Sequence, residues 1–213
     1  AEATKVKGWY QPYNDLLVQT NFDSYIGLEQ DAAELRAFTT QLVHGLLQTE
    51  RYARALIGIP HQWEPGAEEI GRRLRLRLGR QQILTRPDPL RLDAVVSEAV
   101  LRQLVGGPEV MAEQLQYLVA TGERPNVSVR VLPLASGLHD GLIANDFAIL
   151  GFPGGNEPPM VYSDVLLGGL WFEETREINR FQRAFTDIGE HALDEGASRD
   201  LIHQTAKELT RNV

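Results

Sequence analysis

Apolar positions along the chain follow two rhythms, a helical one in the first and last thirds and an alternating one in the middle. Val127, Val129 and Val131 fall on one side of a period-two run, and Phe147 and Ile149 on one side of another, which predicts two half-buried strands. Read as a central pair, they enclose a loop with Gly137, His139, Asp140 and Gly141. Upstream, Leu28, Ala32, Leu35 and Leu42 recur at helical spacing and predict an amphipathic helix that His44 and Gly45 interrupt. Thr49 is a suitable N-cap for a second helix carrying Tyr52, Ala53, Leu56 and Ile57, ended by Gly58 and Pro60. Arg73, Arg77 and Arg80 form a basic stripe on the helix that follows.

Pro87 and Pro89 break that helix, after which Leu90, Leu92, Ala94 and Val96 alternate as a strand. Glu98 opens a short helix, and Gly106-Gly107-Pro108 stops it and starts another, whose buried face is Val110, Met111, Leu115, Leu118 and Val119. The resulting strand, two helices and strand are long enough to allow parallel pairing. Gly168 and Gly169 read as a tight hairpin turn between apolar runs. Ile178, Phe181, Phe185 and Ile188 mark a helix, and Ser198 reads as the N-cap of a last one. The expected fold is α+β: a mixed sheet of about five strands with N-terminal, crossover and C-terminal helices. Residues 1–27 are expected to form an irregular or helical lead-in, and 28–213 one α+β domain with a helical part (28–86), a sheet-containing part (90–173) and C-terminal helices (174–213).

Composition narrows the chemistry. With 43% hydrophobic and 23% charged residues the chain has material for a real core. It has no cysteine, which removes disulfides, thiol nucleophiles and zinc-thiolate sites. A formal charge of -8 opposes a phosphate backbone, so this chain by itself is not expected to bind nucleic acid well. No run reaches the roughly eighteen apolar residues of a membrane helix and no signal-peptide core is present, so no membrane partner and a cytoplasmic location are expected. Basic residues are Arg rather than Lys, which fits a high-GC, actinobacterial type of source, and a start at Ala1 suggests trimming.

Three segments carry a resemblance: residues 27–57 (with GLLQTERYARAL at 45–56), 77–118 and 126–153. Together they resemble the C-terminal, unknown-function domain of actinobacterial XRE-type helix-turn-helix regulators, along nearly the whole chain from about Trp9 to Ser198. In such regulators a separate N-terminal module binds DNA, and the resemblance implies that this domain senses a ligand or partner. DNA would then be contacted only through a helix-turn-helix module that this chain lacks. The resemblance leaves room for a homodimer. His44 stands where the pattern has Pro, Ser97 where it more often has an acid, and Asp164 where it tends to have Glu.

Candidate chemistry is limited. His139 and Asp140 fit a base and its partner or ligand hydrogen-bonders, against the preferred reading of a polar turn. Glu98, just after a buried strand, fits either an acid with a raised pKa or a first-turn helix acid, the latter preferred. Tyr162 and Asp164 alternate onto one face and, with Trp171, suit a ligand cavity, although sheet packing explains Trp171 equally. His44 is a further ligand-binding candidate at a helix break. The Arg73, Arg77 and Arg80 stripe suits an anion site, but a solvated or carboxylate-paired face is preferred. The five His, at 44, 61, 139, 191 and 203, show no metal-ligand spacing, and no phosphate or dinucleotide loop is present, so neither metal nor cofactor is expected. The leading expectation is a ligand-sensing or interaction domain of an XRE-family regulator. The alternative is a regulator-derived domain serving as a cofactor-free acid/base enzyme, of cyclase or isomerase type, on a small apolar secondary metabolite, with His139, Asp140 and Glu98 as catalytic groups.

Overall fold

The computed structural model describes residues 8–17, 22–59, 66–155, 157–165 and 168–211. The fold is α+β, built on a mixed six-stranded sheet. In chain order the strands are β1 (Glu34–Thr39), β2 (Arg91–Ser97), β3 (Val127–Leu132), β4 (Phe147–Gly151), β5 (Met160–Val165) and β6 (Gly168–Phe172). They lie in the order β3-β2-β1-β4-β5-β6. The helices are α1 (Asn14–Leu17), α2 (Phe22–Asp31), α3 (Glu50–Ile57), α4 (Ala67–Arg80), α5 (Glu98–Arg102), α6 (Pro108–Thr121), α7 (Thr175–His191) and α8 (Glu195–Arg211). Helix α2 runs across the expected 27/28 division. No helix among the described residues is long and apolar enough to cross a membrane.

The sixth strand is β1, in a stretch whose spacing predicts helix. The helix ends at Asp31, and residues 34–39 pair with β2 in parallel and with β4 antiparallel. Ala32 and Leu35 pack in one core cluster although one follows a helix and the other lies in a strand, so their spacing imitates a single helical face. Leu42, the last residue of the expected stripe, is exposed. The strands read as a central pair are also not neighbours: β3 is an edge strand, and β2 and β1 separate it from β4. Residues 133–146 therefore cross the end of the sheet. The strand–helix–helix–strand unit from β2 to β3 pairs in parallel, as its connection length allows.

Alternation along the strands makes two apolar faces. Leu35, Ala37, Leu92, Val129 and Leu150 belong to the larger core, shared with α6 and α8. Phe38, Val95, Phe147 and Ile149 face the other way, where Ile178, Phe185 and Ile188 of α7 cover them. Each such side chain contributes about 1.5–3 kcal/mol on burial. Gly107, with φ of 93°, supplies a backbone turn that L side chains rarely adopt, and Pro108 starts α6 directly after it.

Two further expectations are corrected. Ser198 lies inside α8, fully buried, and Asp194 caps that helix by accepting from the Ala197 N–H at 2.8 Å. The Ser198 hydroxyl instead accepts from Val131 N–H at 2.9 Å, while Leu193 N–H donates to the Val131 carbonyl at 2.9 Å, so the backbone of the edge strand is covered. Gly168 and Gly169 are the first residues of β6, paired with Val165 and Asp164 of β5, rather than a turn; residues 166–167, like Pro60 and His61, lie outside the described residues.

Candidate functional site

At the end of the sheet where β1 stops and β4 begins, a cavity of about 600 Å³ opens between the larger face of the sheet, α4 and residues 40–48. Its outer wall is the GLLQT segment. Val43 N–H donates to the Tyr52 hydroxyl at 3.2 Å, and Gln48 Nε2 donates to the Val43 carbonyl at 2.7 Å. Gln114, fully buried on α6, accepts from Thr49 N–H and donates to the Leu47 carbonyl, both at 2.7 Å. Gln81 Nε2 donates to the Gln48 carbonyl at 2.7 Å. Thr49 caps α3 by accepting from Tyr52 N–H at 3.3 Å. The first part of the segment most specific in the sequence resemblance is thus a wall, one 3-10 turn over Gly45–Leu47 leading into α3, whose buried backbone is satisfied by Tyr52, Gln81 and Gln114.

Helix α4 presents two arginines to the cavity. Arg80 is 4% exposed and grips the fully buried Glu29 through two 2.8 Å bonds, with its Cζ 5.4 Å from the centre of the Tyr25 ring. Arg77 donates to Gln48 Oε1 at 2.7 Å and has no carboxylate within ion-pair distance among the described residues. Burial, and then the charge of Arg80, pull its pKa down to about 10, so it stays protonated at neutral pH without a tight counter-ion. Of the stripe read from the sequence, Arg73 and Arg80 are carboxylate-paired as expected, Arg73 through Glu69 at 2.7 Å, and Arg77 departs from that expectation.

The sheet supplies the other walls. Thr39, the last residue of β1, is 7% exposed, and its Oγ1 is buried with no hydrogen-bond partner among the described residues. Asp146 accepts from Thr40 N–H at 2.8 Å and from its hydroxyl at 2.6 Å, yet burial still raises its pKa. Tyr162 donates to Asp164 Oδ1 at 2.8 Å, and burial followed by the Asp164 charge raises its pKa strongly. Its ring centre is 4.5 Å from that of Tyr25 and 4.9 Å from that of Trp171. Gly169 is required by this arrangement, because a Cβ there would overlap the Tyr162 ring. At the rim, His44 Nδ1 accepts from Leu46 N–H at 3.4 Å, and burial lowers its pKa to about 4, leaving it neutral.

Of the residues singled out in the sequence, Tyr162, Asp164 and His44 line this cavity, and Trp171 packs behind Tyr162 and Tyr25 without lining it. His139, Asp140 and Glu98 lie outside it. His139 has a buried Nδ1 without a partner among the described residues, and its ring centre is 5.8 Å from that of His191 on α7. The Asp140 N–H donates to Asp187 Oδ2 at 2.7 Å. Glu98 binds Arg102 at 2.8 Å and accepts from Leu134 N–H at 3.1 Å, and these two contacts hold its pKa below the usual carboxylate range rather than above it. The geometry adds Thr39, Gln48, Arg77 and Asp146 to the site. Only Arg77 had a sequence signal, the spacing of the basic stripe.

No curated protein and no solved structure matches the chain. A family model described as a domain of unknown function, DUF5753, matches residues 22–204, which include β1 to β6 and all the cavity-lining residues named above. The chain belongs to the DUF5753 family.

Proposed function

We propose that this domain is a ligand-sensing module that takes a small molecule into the cavity between α4, the GLLQT wall and the end of β1. The observation that carries this reading is a cavity of about 600 Å³, within the usual range for small-molecule sites, lined by a guanidinium and a buried hydroxyl that have, among the described residues, no carboxylate partner and no hydrogen-bond partner respectively. Both groups keep a desolvation cost that a polar guest would offset. The aromatic rings of Tyr25 and Tyr162 offer an apolar body the contact it needs.

The resemblance to effector domains of XRE-type regulators supports a wider role. In that role the bound molecule shifts the conformation or pairing of the domain and, through an attached helix-turn-helix module, changes DNA affinity. The acid/base enzyme reading draws no support from the cavity, since His139, Asp140 and Glu98 lie outside it.

A thermal-shift screen of small metabolites against the protein and its Val165→Trp variant tests the reading. Val165 is 40% exposed and lines the cavity, so the larger ring narrows the entrance without disturbing the core. A ligand is expected to raise Tm with concentration in the parent and to lose that effect in the variant. A screen without such a compound, or one whose hits stabilise both proteins equally, overturns it.

A further inference from the structure

The chemistry of the ligand can be narrowed, on the premise that the cavity is the ligand site. Arg77 has five N–H donors, and among the described residues it hydrogen-bonds to the neutral side-chain oxygen of Gln48 alone. Its neighbour Arg80 is committed to Glu29. Asp164 is close enough to Arg77 to act on it electrostatically, but it is not within ion-pair distance and instead accepts from Tyr162. Arg77 therefore presents a planar, charged fork toward a cavity that is otherwise walled largely by rings and by uncharged groups. Such a fork matches the two oxygens of a carboxylate.

Two fixed carboxylates limit how much negative charge the guest carries. Asp146 and Asp164 both line the cavity, and the Asp164 charge adds to the cost of ionising Asp146. A dianionic phosphate would meet their repulsion with a single unpaired cation to offset it, whereas a monoanion is matched one to one. The buried Thr39 hydroxyl is a separate sign that the guest is polar at more than its outer end. We infer that the ligand is a monocarboxylic acid with an aromatic or branched apolar body, its carboxylate on the Arg77 guanidinium and its body against Tyr25 and Tyr162.

Titration calorimetry with phenylacetate, 3-phenylpropionate and their primary amides tests this, with inorganic phosphate as a third probe. For the parent protein the acids are expected to bind at least about tenfold tighter than the amides, with phosphate weaker than either acid. In Arg77→Gln that ratio is expected to fall to about one, and in Arg77→Lys, which keeps the charge but not the fork, to an intermediate value. Amides that bind as well as acids, a ratio that survives Arg77→Gln, tighter binding of phosphate, or no binding of any acid would overturn the inference. Amide binding that disappears in Val165→Trp would leave the cavity reading standing while the carboxylate falls. Acid binding unchanged in Val165→Trp would instead place the site elsewhere and sink both.

Discussion

The Tyr162 hydroxyl and the Asp164 carboxylate, two residues apart on β5, are joined by a 2.8 Å hydrogen bond along the face of the sheet that lines the cavity. The bond holds the Tyr162 ring down over Gly169, opposite Asp164 on β6, and beside Trp171, opposite Tyr162 itself. Gly169→Ala is expected to lift that ring and cost about 1–3 kcal/mol, as overpacking does. Urea denaturation and Trp171 emission would report it, and a variant with the parent's stability and spectrum would contradict the packing described.

His44 gives the domain a pH dependence. Its folded pKa, about 4, lies below the ordinary value of 6.5, so the unfolded chain takes up the proton first. The associated stability is complete above the ordinary value and is lost as pH falls from there toward the folded value, up to about 3 kcal/mol in all. His44→Asn keeps an acceptor for Leu46 N–H without the titration. Urea unfolding at about pH 7.5 and about pH 4.5 should show a smaller loss for the variant than for the parent; equal losses would refute this.

Asp146 has the opposite sign. Burial raises its folded pKa above the unfolded one, so its ionised form weighs against the fold at neutral pH and protonation on acidification relieves it. Asp146→Asn, which keeps the acceptor for both Thr40 donors, is expected to leave the neutral-pH stability equal or higher. Asp146→Ala strands those donors and should cost about 1–3 kcal/mol. A larger loss for Asn than for Ala would contradict this account.

The pair of Arg80 and Glu29 is almost wholly buried, so removing either partner leaves an uncompensated charge. Arg80→Met or Glu29→Met alone should destabilise by about 3–5 kcal/mol. The double variant Arg80→Met/Glu29→Met should lose clearly less than the sum of the single losses. Strict additivity in a double-mutant cycle would show that the two side chains do not depend on one another.

The legibility of the sequence varies with the range of the contact. Tyr162 and Asp164 were readable as site residues because period-two alternation along one strand places them on one face. Strand β1 was hidden because Leu28, Ala32 and Leu35 enter the same core from different elements, and with β1 the Thr39 hydroxyl was hidden too. The arginine stripe was visible, but which arginine stays without a carboxylate depends on Glu29, fifty-one residues before Arg80, and no local rule supplies that partner. The loop at His139 drew notice for its composition, while its surroundings are set by α7, which comes later in the chain.

Gln114 ties the wall of the cavity to the middle of α6, taking both an amide proton and a carbonyl from residues 47–49. Because α6 is packed on α8 at the centre of the larger core, the Thr49 amide is shielded by a partner that is released only when that core comes apart. Its exchange with deuterated solvent should be as slow as that of the central strands. The wall then belongs to the same cooperative unit as the core, and any tightening by a guest would be felt as protection far from the cavity itself.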